Sequence, residues 1–143
     1  MTHIWVCLIG AVAVVSAMAQ TAREIRGPAP LLAIASEPPP KLVIDPPLAE
    51  SLSRGLVVIQ YRTENLRIVP IFGEGALSVS PRVGHLHITV DDAPWHWVDA
   101  SGEPLVLQGL QAGSHKVLIE LADPTHRVID RGVVSLVIPN KNR

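Results

Sequence analysis

Histidines concentrate in one short stretch of this chain, residues 84–97 (GHLHITVDDAPWHW). His85 and His87 stand two residues apart in an alternating segment, so a strand would place both imidazoles on one face and Leu86 and Ile88 on the other. If the apolar face packs inward, the imidazoles point outward. Two ring nitrogens with this spacing can bind one metal ion, and neighbouring segments need add only one or two ligands. The alternative is a pair of solvated or hydrogen-bonded histidines.

Two further histidines lie at the ends of a later predicted strand, residues 115–122. The alternation places His115 on the core side of the strand. A hydrogen bond from its ring to a backbone carbonyl would account for a histidine there without a metal. His126 lies in the loop that follows, near Asp123, whose carboxylate could bind the ion or orient the ring. An Asx-turn at Asp123 explains the same loop without a metal. The predicted ligands are therefore His85, His87, His115 and His126, with Asp123 as the orienting group.

His96 stands between two tryptophans, Trp95 and Trp97. In an extended segment its ring points away from both indoles. The indoles are most simply part of the core or a cover over the end of the domain. Trp95, His96 and Trp97 are also candidate aromatic groups that face a bound ligand.

The available ligand types favour copper or zinc as the bound metal. An all-imidazole site suits both ions. Cys7 is the only cysteine, and the methionines are Met1 and Met18, so every sulfur side chain lies within the first nineteen residues. If that segment is removed, the chain has no soft sulfur ligand, which argues against a buried Cu(I) site or a blue-copper site.

Residues 1–19 have the features of a signal peptide. An unbroken apolar run, residues 4–19, ends in Ala17-Met18-Ala19, which fits a small-x-small cleavage site. The run is shorter than the roughly 20 residues that a membrane-spanning helix needs, although an uncleaved anchor is the alternative. The sequence thus predicts a periplasmic or secreted protein that has no membrane attachment after cleavage.

The remaining chain divides into a proline-rich part and one β-domain. Residues 20–40 are predicted to form a flexible arm, residues 41–139 the domain and residues 140–143 a polar tail. From residue 56 onward, short alternating segments are separated by Gly, Pro and Asp turns. This pattern predicts an all-β fold, an immunoglobulin-like antiparallel β-sandwich, with a cupredoxin-like or jelly-roll Greek-key barrel as the alternative.

Charge and motifs limit the possible functions. Twelve basic and thirteen acidic residues, without a block of like charge, indicate no nucleic-acid partner. The chain has no G-x-S-x-G elbow and no cysteine in the domain, so the prediction leans away from an enzyme, although an open histidine site would also suit catalytic zinc. The leading hypothesis is an exported domain that binds or carries a divalent metal. The alternative is a structural or protein-interaction module with an unknown partner, and convergence of the imidazoles distinguishes the two.

The histidine motifs resemble those of a known kind of domain. The segments are G-H-x-H at residues 84–87, G-x-H at residues 113–115 and D-x-x-H at residues 123–126. This pattern is similar to that of small secreted bacterial β-domains of unknown function, over residues 41–139. The resemblance implies a compact exported β-domain and brings no established activity with it.

Overall fold

The computed structural model describes residues 36–140. The predicted signal peptide, the predicted arm as far as residue 35 and the last three residues of the predicted tail lie outside the described residues. No helix within residues 36–140 is long and apolar enough to cross a membrane. The described elements are β1 (Lys41–Ile44), a short α-helix (Ala49–Ser53), β2 (Val57–Ile59), β3 (Tyr61–Glu64), β4 (Arg67–Ile68), a 3-10 turn (Glu74–Ser78), β5 (Val83–Val90), β6 (Trp97–Asp99), β7 (Leu105–Leu107), β8 (Gly113–Ala122) and β9 (Val128–Ile138).

The strands form one large sheet and two small ones. The large sheet has five strands in the order β4-β5-β8-β9, and β6 also pairs with β5. The small sheets are the antiparallel pairs β1-β3 and β2-β7. This arrangement confirms the predicted all-β, sandwich-like fold. One pair was not anticipated, because β4 runs parallel to β5.

The hydrophobic core lies against one face of the large sheet. Leu86 and Ile88 of β5 are fully buried there, opposite Leu121 and Ile119 of β8. The two small sheets contribute further members of the same cluster, which include Leu42, Val57, Ile59, Leu105 and Leu107. Each fully buried aliphatic side chain of this size stabilises the fold by about 1.5–3 kcal/mol. The period-two pattern of the sequence therefore determines which face of β5 turns toward the core.

Strand β5 is held by antiparallel partners on both sides along its middle. His87 lies opposite Glu120 of β8 and opposite Val98 of β6. A strand with two such ladders has little freedom to shift its register. The backbone that carries the histidines of β5 is therefore held in place.

Residues 36–40, the last part of the predicted arm, are bonded to the domain. The Glu37 carboxylate accepts hydrogen bonds from the Ser80 hydroxyl and the Arg82 backbone N–H. The Arg82 guanidinium in turn donates to the carbonyl oxygens of Glu37 and Pro38. Contacts with the domain are thus already present at Glu37, ahead of the predicted domain start at Lys41.

Gly84 permits a close approach between β5 and the end of β8. A Cβ atom at Gly84 would lie only 2.3 Å from the Ala122 carbonyl oxygen and 3.1 Å from Leu66 Cδ1. We expect Gly84→Ala to lower the free energy of unfolding by about 1–3 kcal/mol, because backbone must move to relieve the overlap. Urea denaturation measures this change. Gly75→Ala is the matched control, since a Cβ there meets nothing within 4 Å, and equal effects of the two substitutions would contradict the prediction.

Candidate metal site

His85 and His87 lie on one face of β5, as the alternation predicts, but that face is covered. His85 is 0% exposed and His87 is 6% exposed. The expectation that the imidazoles point out into solvent is therefore wrong. The reason is that two loops, one with Phe72 and one with His126, lie over this side of the sheet.

His126 reaches the β5 histidines from the turn between β8 and β9, residues 123–127. His85 lies opposite Ala122, the last residue of β8, so the turn begins beside the buried imidazole. The His126 backbone has φ 67°, which is left-handed, and its N–H donates to the Asp123 carbonyl at 2.9 Å. A non-glycine residue in this region carries strain that the surrounding bonds must offset.

Asp123 supplies those bonds. Its buried carboxylate accepts from the Thr125 N–H and hydroxyl and from the Arg127 N–H and guanidinium. Burial raises the pKa of the Asp123 carboxyl, but these hydrogen bonds outweigh it and hold the pKa below its ordinary value. This is the Asx-turn that the sequence offered as an alternative. Asp123 thus positions His126 through the backbone of the turn, while its oxygens are occupied by Thr125 and Arg127.

Phe72 covers the cluster from a loop that the sequence did not connect with it. Its ring centroid lies 5.0 Å from that of His85 and 5.8 Å from that of His126. The loop is tied to the turn between β8 and β9, because the Gly73 N–H donates to the Pro124 carbonyl at 2.8 Å. Phe72 thereby covers part of the histidine cluster, while Phe72 itself is 48% exposed and His126 is exposed.

Three ring nitrogens converge to form a small triangle. His85 Nε2 lies 3.0 Å from His87 Nε2 and 3.0 Å from His126 Nδ1, and the last two atoms are 3.1 Å apart. Each nitrogen carries either a proton or a lone pair. Among three atoms in mutual contact, at least two must therefore be of the same kind, so the triangle cannot consist of three hydrogen bonds. A cation bound by three lone pairs removes this conflict.

The protonation of the buried rings suits metal binding. Burial, with smaller effects from the neighbouring His87 and His126, lowers the pKa of His85 to about 4. Burial also lowers the pKa of His87, with added effects from His96 and His126 that Glu120 opposes. Neutral imidazole is the form that coordinates a metal. His85 therefore offers a lone pair at neutral pH without first losing a proton.

The second nitrogen of His85 has no hydrogen-bond partner among the described residues. If Nε2 presents its lone pair to the cluster, the ring proton must lie on Nδ1, which is buried and unpaired. Metal-bound histidines usually donate this proton to a carbonyl or a carboxylate. An unpaired buried donor costs about 1–3 kcal/mol. The buried Nδ1–H therefore destabilises the fold locally, and a ligand at Nε2 would not supply the missing acceptor.

The aromatic residues at positions 95–97 divide between the site and the core. His96 stacks on His87 with ring centroids 4.6 Å apart and an interplanar angle of 27°. Trp97 packs against the hydrophobic core, and Trp95 is 61% exposed with its ring 6.2 Å from that of Trp97. Of the three predicted ligand-facing aromatic residues, His96 is the one that the structure places against the histidine cluster.

His115, the fourth predicted ligand, is not part of the cluster. It lies seven residues before Ala122 on β8, about 23 Å away along an extended strand. Its Nδ1 bonds to Asp91 Oδ2 and its Nε2 to the Gln111 carbonyl, both at 2.7 Å. Because both partners only accept, both ring nitrogens must carry protons. A doubly protonated ring has no lone pair for a metal, which corrects the grouping of His115 with the other three.

Two residues at the site escaped the sequence analysis. Phe72 is the only phenylalanine in the chain, but nothing local indicates that its loop folds over β5. Glu120 lies directly opposite His87 and forms an ion pair with Arg131, in which Arg131 Nη1 lies 3.7 Å from Glu120 Oε1. The pairing of β5 with β8 would have identified Glu120, since directly opposed residues share one face.

Comparisons with known proteins add one finding. A model of a family of unknown function, DUF6130, matches residues 1–143. Neither the curated proteins nor the solved structures gave a match.

The bond between His115 and Asp91 predicts a pH-dependent contribution to stability. Bonds to Asp91 and to the Gln111 carbonyl raise the pKa of His115 above its ordinary value. A raised pKa in the folded state stabilises the fold fully below the unfolded pKa of roughly 6.5, and this contribution is lost as the pH rises through the folded value. The Tm difference between wild type and His115→Asn should therefore be larger at acidic than at alkaline pH.

The difference between the two proteins cancels the titration of all other groups. Thermal unfolding followed by circular dichroism between about pH 5.5 and 8.5 covers the relevant range around the unfolded pKa. A Tm difference that stays constant, or grows with pH, would contradict the assignment of His115 as a cation bonded to Asp91.

Proposed function

Because the chain belongs to the DUF6130 family, whose function is unknown, we propose its function from the site alone: it binds one divalent transition-metal ion, copper or zinc. The ligands are His85 Nε2, His87 Nε2 and His126 Nδ1. The observation that carries the proposal is the convergence of these three nitrogens to within 3.0–3.1 Å of one another.

The dimensions of the triangle support this function. An ion at the usual distance of about 2.0–2.1 Å from each nitrogen would sit roughly 1 Å outside the plane of the three atoms. It would then have three protein ligands on one side and free coordination positions on the other. Nitrogen ligands without sulfur suit copper and zinc better than calcium or magnesium, which prefer oxygen.

The alternative, a structural or protein-interaction module, predicts dispersed histidines with separate partners. His115 behaves in that way, since Asp91 and Gln111 account for both of its nitrogens. The ligand atoms of His85, His87 and His126 instead lie within 4.8 Å of one another. This convergence supports metal binding at the three-histidine cluster.

The proposal extends to how the ion enters and leaves. His85 and His87 are buried on a strand of the large sheet, whereas His126 is exposed on a turn. Exchange of the ion beside His126 would need no opening of the core. Such a site suits a domain that holds or carries a metal.

Metal titration of the full chain tests the proposed function. We expect one Cu(II) or Zn(II) ion per chain by isothermal titration, and a Tm that rises with metal, since binding at 100 times Kd stabilises the folded state by about 2.7 kcal/mol. His126→Ala, on an exposed turn, should weaken binding strongly without unfolding the domain. His85→Ala combined with His87→Ala should abolish it.

His115→Ala is the matched control, because it removes an imidazole that lies outside the cluster. Metal binding that persists in the His126 and double variants, or is lost equally in His115→Ala, would refute the three-histidine site. Absence of any binding to the wild-type chain would refute the function itself.

We also propose that the domain acts outside the cytoplasm, as a periplasmic or secreted protein. The support is the apolar run at residues 4–19 and its small-x-small end. When the chain is expressed from Met1 in a Gram-negative host, the periplasmic fraction should contain a protein whose intact mass begins at Gln20. Full-length protein in the membrane fraction, or in the cytoplasm, would contradict cleavage after Ala19.

A further inference from the structure

His96 lies beside the three converging histidines without belonging to them. Among the described residues, the side chains whose ligand atoms all lie within 4.8 Å of one another are His85, His87 and His126. The ring centroids within that cluster are 4.6–5.3 Å apart. The His96 centroid is 4.6 Å from that of His87, so it is as close to one ligand as the ligands are to each other.

The backbone explains why His96 is near the site but outside it. Strand β6 pairs with β5 so that His87 lies opposite Val98 and Ile88 opposite Trp97. Alternation places His96 on the same face as His87, as a diagonal cross-strand neighbour, which is within reach of a long side chain. His96 precedes the first residue of β6 and is exposed. Its side chain can therefore rotate without disturbing the core.

The shape of the triangle indicates which ion it fits. With metal–nitrogen distances of about 2.05 Å, nitrogens 3.0–3.1 Å apart subtend about 95° at the ion, whereas a tetrahedral zinc site needs about 109° and a separation of roughly 3.3 Å. Three mutual angles near 90° fit one face of a tetragonal Cu(II) or Ni(II) centre, with two of the nitrogens in its square plane and the third in an axial position. Of these two ions, Cu(II) forms the stronger complexes.

These observations lead to one inference, which rests on the proposed metal-binding function. We propose that His96 is the fourth protein ligand of the site and that the resulting four-nitrogen centre selects Cu(II) over Zn(II). The ring leaves its stack on His87 and turns a nitrogen toward the ion. His96 then completes the coordination on the side that the other three ligands leave open.

The test compares the full chain with His96→Ala in Cu(II) and Zn(II) binding. Competition with a chelator gives both affinities, and electron paramagnetic resonance with pulsed nitrogen detection counts the imidazoles bound to Cu(II). We expect four nitrogens in wild type and three in His96→Ala. Cu(II) affinity should fall by at least about tenfold to a hundredfold, the loss already seen when a group that only orients a metal ligand is removed, and Zn(II) affinity should fall less.

Two control variants isolate the role of the ring. His115→Ala removes a histidine from the opposite end of β8 and should leave four nitrogens on Cu(II). Trp95→Ala alters the neighbouring exposed side chain and should also preserve the nitrogen count, which separates ligation by His96 from a general change of the loop.

The possible results separate this inference from the function on which it rests. Three nitrogens in wild type, or a Cu(II) affinity that depends on His126 but not on His96, would overturn the role of His96 and leave the three-histidine site in place. Equal losses of Cu(II) and Zn(II) affinity in His96→Ala would overturn the selectivity. Failure of the wild-type chain to bind either metal would overturn both proposals.

Discussion

The pairing of β5 with β8 is the constraint on which the site depends. It places His85 opposite Ala122, so that the turn after β8 delivers His126 to the same point. A slip of one residue would turn the histidines into the core and the aliphatic residues outward. Burial of Leu86 and Ile88 against their β8 partners therefore fixes the position of the imidazoles. Gly84 contributes by allowing the end of β8 to approach without a clash.

The cluster is unfavourable by itself, and this is informative. His85 Nδ1 is buried without a partner among the described residues, two of the three converging nitrogens must be of like kind, and His126 has a left-handed backbone. Such costs persist where the surrounding structure imposes them, and they concentrate at functional sites. Here the register of β5 and β8 imposes the unpaired Nδ1 and the contact between like nitrogens, and the hydrogen bonds of Asp123 impose the left-handed backbone of His126. A bound cation would remove the conflict among the three converging nitrogens, so metal binding would add directly to the stability of the fold.

The sequence predicted the parts of the site that local periodicity determines. Alternation in residues 84–90 placed His85 and His87 on one face of β5, and the loop position of His126 followed from the break after Ala122. The cover over that face depended on a contact between distant segments, the bond from Gly73 to Pro124, which no local pattern encodes. The mistake about exposure has this origin. The all-β architecture was predictable because it follows from many short alternating segments, whereas the parallel pairing of β4 does not.

The two ends of β8 show why histidine spacing alone does not define a metal site. His115 lies near one end, where the turn after β5 brings Asp91 within 2.7 Å of its ring and the Gln111 carbonyl occupies the other nitrogen. Two acceptors make it a cation with no lone pair. At the other end the neighbours of His85 are further imidazoles and a phenyl ring, and burial keeps the ring neutral. An imidazole is thus a doubly protonated donor at one end and offers a lone pair at the other, because its partners determine where its protons lie. Any assignment of ligands from this sequence therefore requires the strand register, since the register determines which acidic residues reach which rings.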